Sequence, residues 1–515
     1  MPSWRGWPDA AAIPRVSFTA VPGTVRGGRP PWAIHVPPFL SPVASLVGHD
    51  TVTLPQAIGL LAAAGDLATG QAPGSTERAA RLAAQIAQAA GHDAAACAQA
   101  HLTARLRWAG CGAAASGIAR LLGDDIRARH AMLARVASAG QTARLDDLAP
   151  LARVESEVAG DVAAMLGMPA AIEAALRQLP GLADDPARMR AAPDLVHHVT
   201  LAGDLEVLAR VHGIDVALAM IGRASGVRHP AALVAAALAR ARDWLATSGD
   251  GAPVASQDFL PVSAPLALVA DAVELKLPFL AGHARRVALL ALRAAQLAGL
   301  PEPQQRALVR AALLHGIGRA GVPNTVWERR GALRGHEREA LRRAPYLTAR
   351  AVGAVAGLED DAQLAAQAQE RLDGSGHYRG LQGDALGMPQ RLLAVAAAFV
   401  ALRSPRPWRA AHAPSAARAL LASQAAGGRL DRAALDAVMA AAHAMPAMPA
   451  GPAWLSPRES EVLRRLSLGE SEREAGRALR ISAGAVRTHA DAILGKLGCA
   501  SRQAATLRAL ALGLI

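Results

Sequence analysis

The sequence predicts an all-α protein. Hydrophobic residues make up 52% of the 515 residues, with much of that content in alanine, and aromatic residues only 3%. This composition favours alanine- and leucine-rich helices over sheets, because strands are enriched in aromatic and β-branched residues. From about residue 51 onward, alanine and leucine recur at spacings of three and four with arginine on the other face. That spacing is the period of an amphipathic helix.

The charge balance indicates a polyanionic partner. The net charge is +13, nearly all of it from arginine, which suits binding to nucleic acid. A general bias toward arginine is the alternative explanation. Three widely separated cysteines, Cys97, Cys111 and Cys499, argue against a disulfide framework and for a reducing cytoplasm. We expect neither a signal peptide nor a membrane span, since no long uninterrupted apolar run is present.

Proline- and glycine-rich stretches divide the chain into segments. Residues 1–50 are predicted to be a flexible N-terminal segment. The stretch "TSGDGAPVASQDF" separates two helical domains, 51–250 and 251–443. A linker at 444–453, "AMPAMPAGPA", then isolates a final domain at 454–515.

The two helical domains contain an internal repeat. Residues 75–93 align without a gap to residues 283–301, and the same alignment continues from 104–113 onto 312–321. Leucines and glycines coincide along it, which favours two copies of one helical unit over a chance match of alanine-rich helices. In the first copy, Ser75 and Arg107 stand at the positions of His283 and His315.

Three stretches of the second copy, in this order, resemble the HD-GYP family of metal-dependent phosphohydrolases. They are "ELKLPFLAGHARRVALLALRAAQLAGL", "AALLHGIGRAGVPNTVW" and "QERLDGSGHYRGLQGDALGMPQRLLAVAAAFVAL". The resemblance covers roughly residues 270–440 and, together with the repeat, implies tandem HD-like helical domains. Members of the family that retain their metals are phosphodiesterases of cyclic di-GMP.

The resemblance also implies which residues should hold metal. His283 and His315 match two ligand histidines, and the tripeptide that names the family appears as Gly376-His377-Tyr378. The other functional positions carry different residues here: Gly316 for the bridging aspartate, Arg319 for a lysine, Ala344, Ala368 and Gln369 for histidines, and about Ala397 for a late aspartate.

A centre of two dications needs carboxylate ligands, and these replacements remove them. We therefore expect no metal, no cofactor and no catalytic residue, with His283 and His315 as vestigial ligand positions. The chain is accordingly predicted not to be an enzyme. The retained loop Asp373–Gly376 is either a nest for phosphate oxygens or a turn that the fold requires.

The last sixty residues predict four short helices. Ser456 and Glu459 form the capping-box pattern before a helix at Pro457–Ser467, and a second helix follows at about 471–479. Ser482 is placed to cap a third helix at 483–497, and Ser501 to cap the fourth. This order is the helix-turn-helix arrangement for entering a major groove, and a solvated helical hairpin is the alternative.

The segment resembles the LuxR-type helix-turn-helix domain along its whole length, in "SPRESEVLRRLSLGES", "LRISAGAVRTHADAILGKLG" and "SRQAATLRALALGLI". Val486, Ala490, Ile493 and Leu497 form the predicted core face of the third helix. The resemblance places the DNA-binding residues elsewhere on that helix and at its cap: Ser482, Arg487, Thr488, His489, Asp491 and Lys496. Asp491 departs from the family pattern and should narrow or weaken binding. The small pair Ala475-Gly476 predicts looser packing of the second helix.

These observations predict a cytoplasmic transcription regulator that binds double-stranded DNA as a homodimer. Its HD-GYP-like module would serve for sensing, dimerisation or both, with a cyclic dinucleotide or a protein as the input. Two alternatives remain open. One is a metal-dependent cyclic di-GMP phosphodiesterase with an attached DNA-binding domain, and the other is a regulator that binds the nucleotide without hydrolysing it.

Overall fold

The computed structural model describes residues 50–142, 145–179, 189, 191–247, 263–444 and 455–515. The N-terminal segment predicted at 1–50 and the linker predicted at 444–453 lie almost wholly outside these ranges, as does the domain boundary predicted at 250. Within the described ranges the prediction of an all-α fold is confirmed. Two three-residue strands, β1 (Thr51–Thr53) and β2 (Ser263–Pro265), are the exceptions there.

The first half of the described chain is a succession of helices. They are α1 (Leu54–Thr69), α2 (Ser75–Ala89), α3 (Ala94–Leu106), α4 (Ala115–Leu122), α5 (Asp125–Leu133), α6 (Ala139–Thr142), α7 (Leu145–Met165), α8 (Ala170–Gln178), α9 (Asp194–His212), α10 (Ile214–Arg223) and α11 (Ala231–Ala246). A short 3₁₀ turn at Cys111–Ala114 follows α3.

The second half repeats this pattern and adds the C-terminal domain. Its helices are α12 (Leu266–Glu274), α13 (His283–Leu297), α14 (Glu302–Leu314), α15 (Asn324–Trp327), α16 (Gly335–Arg342), α17 (Ala344–Gly353), α18 (Glu359–Ala366), α19 (Met388–Arg403), α20 (Pro414–Ala426), α21 (Arg432–Ala444), α22 (Pro457–Ser467), α23 (Glu472–Leu479), α24 (Ala483–Leu497) and α25 (Arg502–Ala511). Short 3₁₀ turns lie at Pro278–Leu280, Ile317–Gly321, Gln367–Gln369 and Gly383–Ala385.

The two strands join the repeats. They pair antiparallel with Val52 opposite Ala264, and each leads directly into the first helix of its repeat. One continuous hydrophobic core then runs through both repeats and includes Leu507 of α25. Many of its members are alanines, whose small side chains let neighbouring helices approach closely.

A pair of glycines shows the repeat at atomic detail. A β-carbon on Gly110 would lie 2.0 Å from the carbonyl oxygen of Glu155, and one on Gly318 would lie 2.0 Å from that of Ala344. Both glycines directly follow the second helix of the aligned unit, and both are contacted by the backbone of a later helix. No residue with a side chain fits either position without a backbone shift.

A pair of buried carboxylates repeats in the same way. Asp66 at the end of α1 accepts a hydrogen bond from the backbone N–H of Thr76 at 2.9 Å, and Glu274 at the end of α12 accepts one from Ala284 at 2.7 Å. Each donor is the second residue of the following helix. The two HD-like repeats therefore share both a close backbone contact and a buried polar contact.

Candidate functional site

The helix caps predicted in the C-terminal domain are present. Ser456 and Glu459 form a complete capping box at the start of α22, and Ser471 and Glu474 form another at α23. Ser482 Oγ accepts from the backbone N–H of Ala485 at 3.1 Å and begins α24. Local side-chain chemistry therefore fixes where these helices begin.

The predicted core face of α24 is also confirmed. Val486, Ile493 and Leu497 are buried in a cluster formed by the domain's own helices, and Ala490 packs against it. The opposite face of the helix is open, with Arg487, Thr488 and Asp491 exposed.

Two of the exposed side chains already have partners. Arg487 donates from Nε and Nη2 to Glu472 Oε2 at 3.1 and 2.9 Å, although 70% of the Arg487 side chain stays exposed. Thr488 Oγ1 donates to the carbonyl of Gly484. The Arg487 pair joins α23 to α24 on the open surface, where an exposed ion pair is weak and readily exchanged.

Lys496 has a structural partner. Its Nζ lies 2.7 Å from Oε2 of the largely buried Glu459, and this hydrogen bond lowers the pKa of Glu459. The contact joins the first and third helices of the domain. Ser482 and His489, also predicted to bind DNA, lie at the cap and in the second turn of α24, with His489 half-buried.

The expected loose packing of α23 is wrong. Ala475 is fully buried, and a β-carbon on Gly476 would lie 2.7 Å from the carbonyl oxygen of Ile481. The small pair is present because the turn before α24 passes directly over the second helix. Its effect is closer packing of the second helix against this turn.

The C-terminal domain is docked on the first repeat through α25. Arg508 donates to both carboxylate oxygens of Asp161 in α7, and the two side chains are buried. Beside this pair, the backbone N–H of Ala500 donates to Glu157 Oε1 at 2.6 Å. Neither acid was singled out from the sequence, since nothing local marks a partner more than three hundred residues away.

The two histidines predicted as vestigial ligands do lie together. His283 begins α13 and His315 ends α14, their ring centroids are 5.5 Å apart, and both are buried. His315 Nδ1 contacts the carbonyl of Ala312 at 2.6 Å. Burial, reinforced by the charge of Arg319, lowers the pKa of His315 to about 3, so both rings are neutral near pH 7.

Arg319 occupies the position next to the histidines. Its Nη2 lies 2.9 Å from His315 Nε2, and a β-carbon on Gly316 would lie 3.1 Å from its Nη1. The guanidinium of Arg319 therefore covers Nε2 of His315 and also fills the space that a side chain at position 316 would need. Glu274 is the nearby carboxylate, and burial raises its pKa to about 7.

These residues do not fit the metal centre that the HD-GYP resemblance implies. A ligand nitrogen must offer its lone pair to the metal, and Arg319 donates into that of His315. Ala344 and Ala368 are buried and supply no donor atom. Among the residues that the structure describes, no cluster of three or more histidine, cysteine, aspartate or glutamate side chains could hold a metal ion.

The loop Asp373–Gly376 is a turn that the fold requires. Ser375 N–H donates to Asp373 Oδ1, and a β-carbon on Gly376 would lie 2.4 Å from the backbone nitrogen of Arg371. Farther along the loop, the N–H groups of Arg379 and Leu381 donate to the Glu370 carboxylate. Within the loop itself, the N–H of Gly374 donates to the carbonyl of Arg371 at 2.9 Å, and these internal hydrogen bonds favour the turn over the phosphate nest.

Comparison with known families identifies the second repeat and the C-terminal domain. Residues 267–434 match the HD domain family, and residues 453–509 match the bacterial regulatory proteins of the luxR family. The chain therefore combines an HD domain with a C-terminal LuxR-type helix-turn-helix domain, as both resemblances indicated. Among the described helices, none is long and apolar enough to cross a bilayer.

Curated relatives match the HD segment. The 3'3'-cGAMP-specific phosphodiesterase 1 of Vibrio cholerae is 32% identical over 172 residues, covering 33% of this chain and 40% of that protein. The cyclic di-GMP phosphodiesterase response regulator RpfG of Xanthomonas campestris is 32% identical over 177 residues, covering 34% and 46%. The match thus spans less than half the length of either relative.

A solved structure extends the similarity in fold. The crystal structure of a cyclic GMP-AMP-specific phosphodiesterase of V. cholerae superposes with a TM-score of 0.53 and 21% identity. The superposition covers 77% of this chain and 99% of that one. It therefore includes much more than the HD segment and supports the tandem helical fold.

The prediction that the chain is not an enzyme is wrong by this comparison. Relatives at 32–34% identity are named as cyclic dinucleotide phosphodiesterases, and they point to a hydrolase. The prediction rested on a few metal-ligand positions, whereas the matches to these relatives extend over 172 and 177 residues.

Proposed function

We propose that this chain is a DNA-binding transcription regulator that acts in the cytoplasm. The observation that carries the proposal is the open face of α24, which presents Arg487 and Thr488 beyond a capped N-terminus. Arginine can bond guanine edges or phosphate, and threonine offers a methyl group and a hydroxyl to base edges. The match to luxR-family regulators supports the same role.

The DNA-binding residues are proposed to divide their roles by position. Arg487, Thr488, His489 and Asp491 lie on α24 for contact with bases, while Ser482 and Lys496 lie nearer the phosphates. From residue 454 to the end, ten arginines and lysines face six acids, which supports modest, salt-sensitive affinity for one module. A homodimer on two half-sites about one helical turn apart would raise the affinity.

The HD domain is proposed to take a cyclic dinucleotide as the input. The names of the relatives support this class of ligand, because several of them act on cyclic di-GMP or cGAMP. A ligand changes the output only if it binds two states of the protein with different affinities. A protein signal is the other input that such a domain could take.

An electrophoretic shift assay with genomic fragments tests the DNA-binding role. We expect Arg487→Ala to weaken specific binding by about tenfold or more, since a good base contact contributes roughly 1–3 kcal/mol. Arg432→Ala is the matched control, because Arg432 is an exposed helical arginine of α21 paired with Asp436. Equal binding by wild type and Arg487→Ala would refute the assigned recognition face.

Hydrolysis of a cyclic dinucleotide is the second candidate function. The phosphodiesterase names of the relatives favour it, and it is compatible with an attached DNA-binding domain. Incubation of the full chain with cyclic di-GMP and 3'3'-cGAMP, followed by chromatography of the products, tests it directly. Linear dinucleotide formed by wild type but not by His315→Ala would support hydrolysis at the histidine pair. No product from either substrate would exclude these two activities.

A further inference from the structure

A large cleft lies between the HD-like repeats and the DNA-binding domain. Its volume is about 820 Å³, within the usual range of small-molecule sites. Segments from three parts of the chain line it, namely residues 113–120 of the first repeat, 275–281 and 405–410 of the second, and 466–474 with 502–506 of the DNA-binding domain. A ligand bound there would touch all three.

The cleft has a net positive charge, because its arginines outnumber the three glutamates that also line it. Five arginines line it: Arg120, Arg330, Arg406, Arg409 and Arg502. None of the five is in a salt bridge with any residue that the structure describes. Arg406 and Arg409 donate to backbone carbonyls instead, and burial, with repulsion from Arg319 next, lowers the pKa of Arg406 to about 9.

The acids of the cleft are already engaged. Glu470 accepts from Arg465 at 2.9 Å, Glu474 caps α23 through the N–H of Ser471, and Glu328 accepts from Ser116 and Asn324. These acids stay charged, so they offset three of the five arginine charges and leave the cleft with a net positive charge. An anion entering the cleft would meet arginines that form no direct salt bridge within the described chain.

Two aromatic rings lie beside these charges. Trp408 is near the tip of a tight turn that Arg406 and Arg409 close with reciprocal backbone hydrogen bonds at 2.8 and 3.1 Å. Its ring packs edge-on against Phe279 with centroids 6.1 Å apart, yet 46% of Trp408 stays exposed. Arg406 stands 5.4 Å from the Phe279 ring centroid. A rigidly held, half-open indole is a surface on which a planar base can stack.

We propose that this cleft is a nucleotide-binding site, with arginines holding the phosphate and Trp408 stacking on the base. The residues that line the cleft do not include the buried histidine pair or the exposed face of α24. Arg406 is the lining residue nearest to that pair in effect, because its charge adds to the burial that lowers the pKa of His283. Because Arg502 and Glu470 belong to the DNA-binding domain, an occupied cleft bridges that domain to both repeats. Failure of this proposal would leave the proposed DNA binding untouched.

Calorimetry and tryptophan fluorescence on the full chain test the site, with GMP, cyclic di-GMP and guanosine as probes. We expect the phosphate-bearing probes to bind and guanosine, which lacks phosphate, to bind at least about tenfold more weakly. Arg330→Gln should weaken binding by a similar factor, and Trp408→Leu should remove the fluorescence change. Arg330 is exposed, so its replacement leaves the fold intact. Arg293→Gln, an exposed arginine of α13 outside the cleft, is the control.

Three outcomes would overturn the proposal. The first is the absence of saturable binding by GMP and cyclic di-GMP. The second is wild-type affinity in both Arg330→Gln and Trp408→Leu. The third is loss of binding in His315→Ala with no effect of Arg330→Gln, which would place the nucleotide at the histidine pair.

Discussion

Arg508 and Asp161 connect the DNA-binding domain to the first HD-like repeat through a buried, bidentate salt bridge. Nε and Nη2 of Arg508 donate to the two carboxylate oxygens at 2.8 and 2.6 Å. The same guanidinium donates from Nη1 to the carbonyls of Leu497 and Gly498 at the end of α24. One side chain therefore holds both the end of the recognition helix and the body of the protein.

Arg508→Ala should loosen this junction. Removing one partner of a buried ion pair lowers the free energy of unfolding by on the order of 3 kcal/mol, because the other charge stays buried. Arg177 also donates to Asp161 and will offset part of this loss. Urea denaturation would measure the loss, and hydrogen exchange should rise in α25. Arg306→Ala, which removes an exposed pair with Glu302, should cost under about 1 kcal/mol. Equal losses in the two variants would show that the junction contributes little.

Glu472→Gln should strengthen DNA binding. In the DNA-free structure the Arg487 guanidinium is held by Glu472, and this carboxylate also repels phosphate. Without it, we expect affinity to rise a few-fold and to depend more steeply on salt. Fluorescence anisotropy with a labelled operator at several salt concentrations would measure both. Glu461→Gln, which removes an exposed pair with Arg458, is the control, and a fall in affinity for Glu472→Gln would contradict the prediction.

Gly318→Ala and Gly110→Ala should both be severely destabilising. In each case the new methyl group meets a backbone carbonyl 2.0 Å away, and backbone cannot move aside as a flexible side chain does. We expect losses above about 3 kcal/mol in thermal or urea unfolding, or insoluble protein. Gly335→Ala, whose new methyl group would find nothing within 4 Å, is the matched control. Tolerance of both core substitutions would argue against the close helix approach in the two repeats.

Glu274→Gln should change how stability depends on pH. Burial raises the folded-state pKa of Glu274 from 4.5 to about 7, so the folded protein keeps a proton that the unfolded chain releases in this range. The stability contributed by this group is fully present below about pH 4.5 and is lost as the pH rises through about 7.

A glutamine side chain stays neutral at all these pH values, and its amide oxygen can still accept the hydrogen bond from the backbone N–H of Ala284. At about pH 8 the Glu274→Gln variant should therefore be more stable than wild type, by on the order of 3 kcal/mol, with little difference near pH 4. Urea unfolding across this range would measure the difference, and the exposed Glu339→Gln is the control. A constant difference at all pH values would mean that Glu274 does not titrate there.

Much of the fold and part of the site could be predicted from local patterns. Ser456, Ser482 and Ser501 cap the helices that their positions indicated, because capping depends on residues three positions apart. Of the glycines shared by the repeats, Gly110 and Gly318 fall where backbones touch, whereas Gly91 and Gly299 have positive φ angles and open space around them. The family resemblance also implied that His283 and His315 lie together, and their rings are in contact distance in the structure.

The roles of several charged residues could not be predicted in this way. Lys496, which we propose lies near the phosphates, also pairs with Glu459, thirty-seven residues earlier in the chain, and no local pattern indicates this partner. The burial of Glu274 beside the histidines is likewise a property of the packed helices, since an acid in the sequence carries no local sign of burial. The sequence also predicted an inactive protein from missing ligands, whereas relatives over the HD segment point to a hydrolase.

Local patterns in the sequence indicated where the C-terminal helices begin, which face of α24 is apolar and that this domain is a helix-turn-helix, because these properties depend on residues within one or two turns of each other. The repeat of the helical unit could be predicted as well, since two long stretches of the chain align without a gap. No local pattern indicates that Arg319 covers His315, that Arg508 is paired with Asp161, or that a cationic cleft opens between the domains. Such contacts depend on how packed helices cross, and crossing angles are set by the whole core rather than by any local pattern.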